Sequence, residues 1–212
     1  MTELPTRKRV DTRERLLAIA EDAILAKGFA ATSIEELIAA VGITKSGFFY
    51  HFRDKSDLAK AILLRYLQRD KQLLNDIFAR ADDLNEDPLH GMLVALKLFA
   101  EMMADVEEAH PGCVAASFCY QDQLFNREIR ELNANGVLAW RTRFHERFVR
   151  IAQVYPPRAG VDLEALSDMA ATLTEGALVL GRALRDPKIL PAQILLYREF
   201  VRSVFQHDDR RA

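Results

Sequence analysis

Apolar residues recur at spacings of three and four along almost the whole chain, and this periodicity is the feature that most constrains its fold. Such spacing places apolar side chains on one face of an α-helix, whereas a half-buried strand would show strict alternation, which no segment sustains. All seven prolines fall between the periodic segments, where a missing N–H does least harm. We therefore expect an all-α protein of about nine helices.

The first 54 residues predict three short helices. Asp11 and Thr32 are the expected starts of the first and second helices, because each has a glutamate three residues later, as in a capping box. Gly28 is expected to end the first helix, and Thr44 to cap the third. The second and third helices, joined through Gly42, form a helix-turn-helix, in which the later helix enters the major groove of DNA.

The third helix is too short to be stable alone and needs its neighbours as a brace. Phe48 and Phe52 are expected to pack under Leu37 and Val41. This packing leaves the other side of the helix available to DNA. Its outward residues are expected to be Lys45, Ser46, Phe49 and Tyr50.

A specific set of residues runs between positions 32 and 58: Thr32, Ile38-Ala39, Gly42-Ile43-Thr44, Phe48, His51-Phe52, Lys55 and Leu58. In this set the chain resembles the N-terminal module of TetR/AcrR-type transcriptional regulators. The resemblance implies that five positions contact phosphates or base edges of double-stranded DNA. They are Thr32, Thr44, Lys45, Tyr50 and Lys55.

The chain departs from the family pattern at three positions: glycine is usual where Ser46 stands, tyrosine at Phe49 and alanine at Val41. Phe49 has no hydroxyl for a phosphate, but its ring can contact a thymine methyl while Tyr50 supplies a hydroxyl. His51 is either a phosphate ligand or a hydrogen-bonded support of the turn. The complete predicted DNA-binding set is Thr32, Thr44, Lys45, Ser46, Phe49, Tyr50, His51 and Lys55.

We expect an N-terminal arm and helix-turn-helix domain in residues 1–54, and a ligand-binding and dimerisation domain in residues 55–212. Sulfur and aromatic side chains concentrate in the fifth to seventh helices, a mixture typical of an adaptable apolar pocket. The predicted pocket residues are Phe99, Met103, Cys113, Phe118, Cys119, Phe125, Trp140 and Phe144. The alternative is that these residues form ordinary core.

The predicted eighth helix is apolar nearly all round, and Gly176 and Gly181 permit a close approach by another helix. Together with the ninth helix it is expected to form a homodimer interface. The predicted interface residues are Leu173, Ala177, Leu180, Ile194, Val201 and Phe205. The alternative is a helix buried wholly within one chain.

We expect neither a metal nor another cofactor. Cys113 and Cys119, with His110 nearby, raise the alternative of a metal or redox switch, but six residues turn the two thiols about 120° apart on a helix. A catalytic pair, a nucleophile turn and a glycine-rich phosphate loop are all missing from the sequence, so we do not expect an enzyme.

The net charge of −2 provides no overall positive field, so affinity for DNA must come from a local basic cluster. The N-terminal segment supplies one, in Arg7, Lys8, Arg9, Arg13 and Arg15. The start of the chain lacks an apolar signal segment, and its apolar stretches fall short of the roughly 20 residues of a membrane helix. We expect a cytoplasmic protein with no membrane partner.

These features predict a regulator that binds a palindromic operator as a homodimer and is released by a small, partly apolar effector. The family resemblance favours repression. The alternative function is a helical carrier of hydrophobic ligands, or an interaction module, that does not bind DNA. The salt dependence of DNA affinity separates the two, because neutralising phosphates makes affinity fall steeply with salt.

Overall fold

In a computed structural model of the chain, the backbone is described for residues 5–105 and 110–206, and the side chains within these ranges from Thr12 onwards. The described residues form nine α-helices and no strand, which confirms the all-α prediction. The helices are α1 (Pro5–Lys27), α2 (Ile34–Val41), α3 (Lys45–His51), α4 (Lys55–Leu84), α5 (Pro88–Ala104), α6 (Val114–Cys119), α7 (Arg127–Val154), α8 (Leu163–Leu184) and α9 (Ile189–Phe205). A 3-10 helix, Asp122–Leu124, follows α6.

The predicted start of α1 at Asp11 is wrong, because the helix begins at Pro5. Proline is well suited to the first turn of a helix, and the arginines and lysine that follow it are good helix formers. The side chain of Asp11 lies outside the described residues, as do those of Arg7, Lys8 and Arg9. The predicted end at Gly28 is confirmed, since this residue has a φ of 86° and its N–H donates to the carbonyl oxygen of Ile24.

The cap of α2 is Ser33, and the prediction of Thr32 is wrong. The hydroxyl oxygen of Ser33 accepts a hydrogen bond of 3.1 Å from the N–H of Glu36. Thr32 is buried instead, and its hydroxyl donates to the carbonyl oxygen of Gly28 at 3.0 Å. Both residues have a glutamate three positions later, so the local pattern did not distinguish them.

The predicted cap of α3 at Thr44 is confirmed, and Asp54 caps α4 in the same way. The hydroxyl oxygen of Thr44 accepts from the N–H of Gly47 at 3.1 Å, and a carboxylate oxygen of Asp54 accepts from the N–H of Asp57 at 2.8 Å. Helix α6 is only six residues long. The helix stops because Gln121, with a φ of −128°, departs from helical geometry.

The described chain forms two compact units, which we describe separately. The first comprises Met1–Arg69 and Cys113–Asn135, and its core joins residues of α1 to α4 with Phe118 and Phe125. The second comprises Asp70–Gly112 and Gly136–Ala212, where α9 packs against α5 and α8. These units record which residues pack together, so the functional division at residue 54 stays a prediction.

Among the described residues, no helix combines the length and apolar character required to cross a lipid bilayer.

Candidate nucleic-acid interface

Helix α3 has one buried side and one exposed side. Phe48 is completely buried and Phe52 is 2% exposed, in the same core cluster as Leu37 and Val41. The neighbouring Phe49 is 45% exposed. The predicted brace is therefore confirmed, and it explains how a helix of only seven residues holds its shape.

Polar groups gather at the exposed N-terminal end of α3. The hydroxyl groups of Thr44 and Ser46 lie 2.9 Å apart, and both residues are exposed. Lys45 points to solvent, and its ammonium lies 3.4 Å from a carboxylate oxygen of Glu35. An ion pair this exposed contributes little to stability, so the lysine can exchange its partner for a phosphate. A hydrogen bond with its own backbone N–H, and then the contact with Lys45, lower the pKa of Glu35.

The C-terminal end of α3 is aromatic. Tyr50 is 62% exposed, and its ring lies 5.2 Å from that of His51, edge to face. His51 is half-buried and also contacts the ring of Phe52. Phe49 meets the buried Phe48 edge to face, with ring centres 5.4 Å apart. The buried rings thus support those that face solvent.

Two of the predicted residues bond to the backbone of the loop between α1 and α2. Thr32 belongs to this loop, whereas Lys55 reaches it from the start of α4. The ammonium of Lys55 donates to the carbonyl oxygen of Phe29 at 2.6 Å and lies 4.2 Å from the centre of the Phe29 ring. Burial lowers the pKa of Lys55. Five of the eight predicted DNA-binding residues are exposed on α3 and its cap, and His51 is half-buried on the same helix. The remaining two, Thr32 and Lys55, bond to the backbone of the loop between α1 and α2.

The sequence profile described as "Bacterial regulatory proteins, tetR family" matches residues 16–62, which run from the middle of α1 into the start of α4. This match includes both helices of the helix-turn-helix and the residues that brace α3. The N-terminal helix-turn-helix module of this chain is therefore of the tetR family.

Named relatives of this chain are regulators of transcription. The repressor BepR of Brucella suis is 32% identical over 94 residues, which cover 42% of this chain and 44% of that protein. The regulator TtgR of Pseudomonas putida is 26% identical over 132 residues, 60% of each protein. The matches thus span about half the length of these relatives. None of these names describes an enzyme, in agreement with the sequence-based interpretation.

Solved TetR-family structures resemble the whole fold. A regulator from Agrobacterium tumefaciens superposes with a TM-score of 0.75 at 20% identity, over 93% of this chain and 99% of that one. A regulator from Chloroflexus aurantiacus gives a TM-score of 0.73 at 23% identity, over 92% of this chain and 96% of that one. At these identities the likeness concerns the fold alone.

Four predicted pocket residues lie in the first unit. Phe118 and Phe125 are buried and stacked, with ring centres 4.3 Å apart, and both contact the ring of Phe29. Cys113 is half-buried, and its sulfur accepts a hydrogen bond of 3.2 Å from the hydroxyl of Tyr66. Cys119 is exposed, and its sulfur accepts from the side-chain amide of Asn133. Phe118 and Phe125 thus belong to the core that also braces the helix-turn-helix, whereas the two cysteines lie outside that core.

The other four predicted pocket residues lie in the second unit. The ring of Trp140 stacks on that of Phe144 at 5.8 Å and meets that of Phe99 edge to face at 6.3 Å. Phe99 and Phe144 are buried, whereas Trp140 and Met103 are half-buried. The structure thus brings the three rings together.

Sequence reasoning missed Asp70, which belongs to this aromatic group. A carboxylate oxygen of Asp70 accepts a hydrogen bond of 2.5 Å from the indole N–H of Trp140. A signal was present, because Asp70 falls three residues after Leu67 and four before Leu74, in phase with the apolar stripe of α4. A carboxylate at such a position requires a specific partner or a function.

The predicted dimer residues lie mostly inside their own chain. Ala177, Ile194, Val201 and Phe205 are buried, whereas Leu180 is 51% exposed and Leu173 is half-buried. The three predicted residues of α9 lie on its buried side, and the interface itself stays a prediction. The exposed apolar side chains of α8 and α9 are Val179, Leu180, Leu184, Leu195, Leu196 and Phe200.

Within the described residues, no group of three or more histidine, cysteine, aspartate or glutamate side chains could hold a metal ion.

Proposed function

We propose that this chain is a transcriptional regulator whose helix α3 reads operator DNA. The observation that carries the proposal is the division of α3, where Phe48 is fully buried while Phe49 and Tyr50 are largely exposed. A helix with a rigid buried side can present fixed side chains to a groove, which is what recognition of base edges requires. The tetR-family match of residues 16–62 and the names of the relatives support the same function.

The side chains of α3 suit different parts of the DNA. Thr44, Lys45 and Ser46 stand at its N-terminal end, where hydroxyl and ammonium groups suit phosphate oxygens. Tyr50 offers a hydroxyl, and Phe49 an apolar surface for a thymine methyl. Thr32, His51 and Lys55 complete the proposed set, and the bonds of Thr32 and Lys55 to backbone carbonyls also keep the preceding loop in place.

The proposed active form is a homodimer, because a palindromic operator requires two reading helices about 34 Å apart, one turn of DNA. Exposed apolar side chains on α8 and α9 support this assembly. Leu180, Leu196 and Phe200 are between 42% and 61% exposed. A cluster of this kind is typical of an interface with another chain.

A small effector in the second unit would release the DNA and relieve repression in the cytoplasm. Helix α4 carries Lys55, which bonds to the loop before the helix-turn-helix, and Asp70, which bonds to Trp140. A ligand that favours one position of this helix would change the conformation available to α3. The regulator would respond by a shift between two populations.

Fluorescence anisotropy of labelled palindromic DNA, taken from the region upstream of the gene and repeated at several salt concentrations, tests DNA binding. We expect affinity to fall steeply with salt, and Lys45→Gln to reduce the magnitude of the slope by about one counterion. The matched control is Lys188→Gln, which removes an exposed lysine just before α9.

An affinity that is weak, independent of salt and equal in both variants would contradict the proposal. That outcome, together with tight binding of apolar ligands, would favour a hydrophobic-ligand carrier. Release of the DNA by such a ligand would instead support the complete proposal.

A further inference from the structure

A single carboxylate interrupts the apolar stripe of α4. Asp70 is half-buried, and its Oδ2 accepts the hydrogen bond from the indole N–H of Trp140. Among the described residues, its Oδ1 accepts no hydrogen bond. One oxygen is therefore held in a fixed position while the other stays available to a ligand.

Aromatic rings surround the tryptophan partner of this carboxylate. Trp140 stacks on Phe144 and meets Phe99 edge to face, and Phe144 in turn meets Phe78 with ring centres 5.6 Å apart. Aromatic faces carry negative electrostatic potential and attract cations. Phe78, Phe99 and Phe144 are buried, and the guanidinium of Arg147 lies 4.0 Å from the centre of the Phe78 ring. A negative carboxylate beside the half-buried ring of Trp140 therefore favours a cationic ligand.

The negative charge of Asp70 is only partly compensated by the protein. Burial raises the pKa of its carboxyl group, and this effect exceeds the opposing effects of the hydrogen bond from Trp140 and of the nearby positive charge of Arg143. The guanidinium of Arg143 is itself bonded to the side-chain oxygen of Asn75. The carboxylate of Asp70 is thus partly desolvated and has no full ion pair, which favours a positively charged ligand beside it.

We infer that the effector site of this regulator is built for an organic cation, an ammonium group on an aromatic or alkyl body, with Asp70 as its counter-charge and Trp140 as its ring partner. This inference rests on the proposed regulator function, because it names the chemical class of the effector. An anion would meet repulsion from Asp70, and a neutral analogue would lose the electrostatic attraction.

Trp140 is the only tryptophan of the chain, so its fluorescence reports directly on this site. Phenyltrimethylammonium and tert-butylbenzene form a matched pair of probes, because they have the same shape and differ in one positive charge. Titration of the full chain with each probe should change the Trp140 emission, with an affinity about tenfold or more higher for the cation. Equal affinities for the two probes, or no response to the cation, would overturn the inference.

Two matched variants separate the charge of Asp70 from the fold. Asp70→Asn keeps an oxygen for the indole N–H but removes the charge, so it should reduce the preference for the cation about tenfold and leave the affinity for tert-butylbenzene unchanged. Asp76→Asn is the control, since this residue is exposed on the same helix. An unchanged cation preference in Asp70→Asn would also overturn the inference.

The same probes separate this inference from the regulator function. Direct binding seen by Trp140 tests the site without DNA, whereas release of labelled operator DNA by phenyltrimethylammonium tests its coupling to α3. Cation binding without DNA release would leave the ligand class established and contradict the proposed regulation. DNA binding that is released only by neutral or anionic ligands would support regulation and contradict the inference.

Discussion

Gln121 bonds directly to the turn that precedes the helix-turn-helix: its side-chain oxygen accepts a hydrogen bond of 3.1 Å from the backbone N–H of Ala30. The contact joins the segment after α6 to the loop between α1 and α2, within the first unit. Gly28 makes room for it, because a Cβ on this residue would lie 2.5 Å from the side-chain nitrogen of Gln121.

Gly28→Ala should destabilise the protein more than Gly42→Ala. Both glycines have positive φ, at 86° and 74°, so each alanine costs about 1 kcal/mol of backbone strain. Only at Gly28 would the new Cβ also displace Gln121 and break its bond to Ala30, a further cost of about 1 kcal/mol. Urea unfolding of both variants measures the difference.

The double variant Gly28→Ala/Gln121→Ala is the control. Without the Gln121 side chain there is no clash, so adding Gly28→Ala to Gln121→Ala should cost only the backbone strain seen at Gly42. Strictly additive effects of the two substitutions would contradict the proposed clash.

Phe48→Ala should affect mainly stability and Phe49→Ala mainly DNA binding, although the residues are adjacent. Phe48 is fully buried, so its loss should lower the free energy of unfolding by about 3 to 5 kcal/mol. Phe49 is 45% exposed, so its loss should change stability by less than about 0.5 kcal/mol while weakening operator binding. Urea unfolding and DNA anisotropy measure the two effects. If Phe49→Ala bound DNA like the wild type, its proposed contact with a base would be wrong.

Asp70→Asn should stabilise the protein near neutral pH. Because the folded pKa of Asp70 is raised above the ordinary value of 3.8, the folded state retains its proton at a higher pH than the unfolded state. The stability supplied by this group is therefore lost as pH rises through that interval. The gain in the variant should be fully present at neutral pH and vanish below 3.8.

Urea unfolding at neutral pH and at pH values below the ordinary pKa of Asp70 tests this prediction, with Asp76→Asn as the exposed control. Equal stabilities of Asp70→Asn and the wild type at neutral pH would show that the protein compensates the charge of Asp70 fully.

Leu196→Glu should dissociate the proposed dimer. Leu196 is 61% exposed on α9, and a glutamate there would be buried without a partner on association, which should raise the dimer dissociation constant about tenfold or more. Leu84→Glu is the control, since Leu84 is 63% exposed at the end of α4. Sedimentation equilibrium measures both. Dissociation by both variants, or by neither, would place the interface elsewhere.

Most features of the helix-turn-helix followed from the sequence alone, because their signals are local. The cap Thr44, the end of α2 at Gly42 and the division between Phe48 and Phe49 all depend on residues within one or two helical turns. Interactions over such short distances are encoded in spacing, and the family resemblance of residues 32–58 depends on the same positions.

The tertiary structure decided what covers each apolar face and which distant residues meet. Periodicity marks a face as apolar but not its partner, so Ile194 and Leu196 could be assigned to core and surface only after α9 had packed. The hydrogen bond of Asp70 to Trp140 joins residues 70 positions apart, and no local pattern specifies such a pair. Even the choice between Thr32 and Ser33 as the cap of α2 depended on which side chain the core buried, because both satisfy the same local rule.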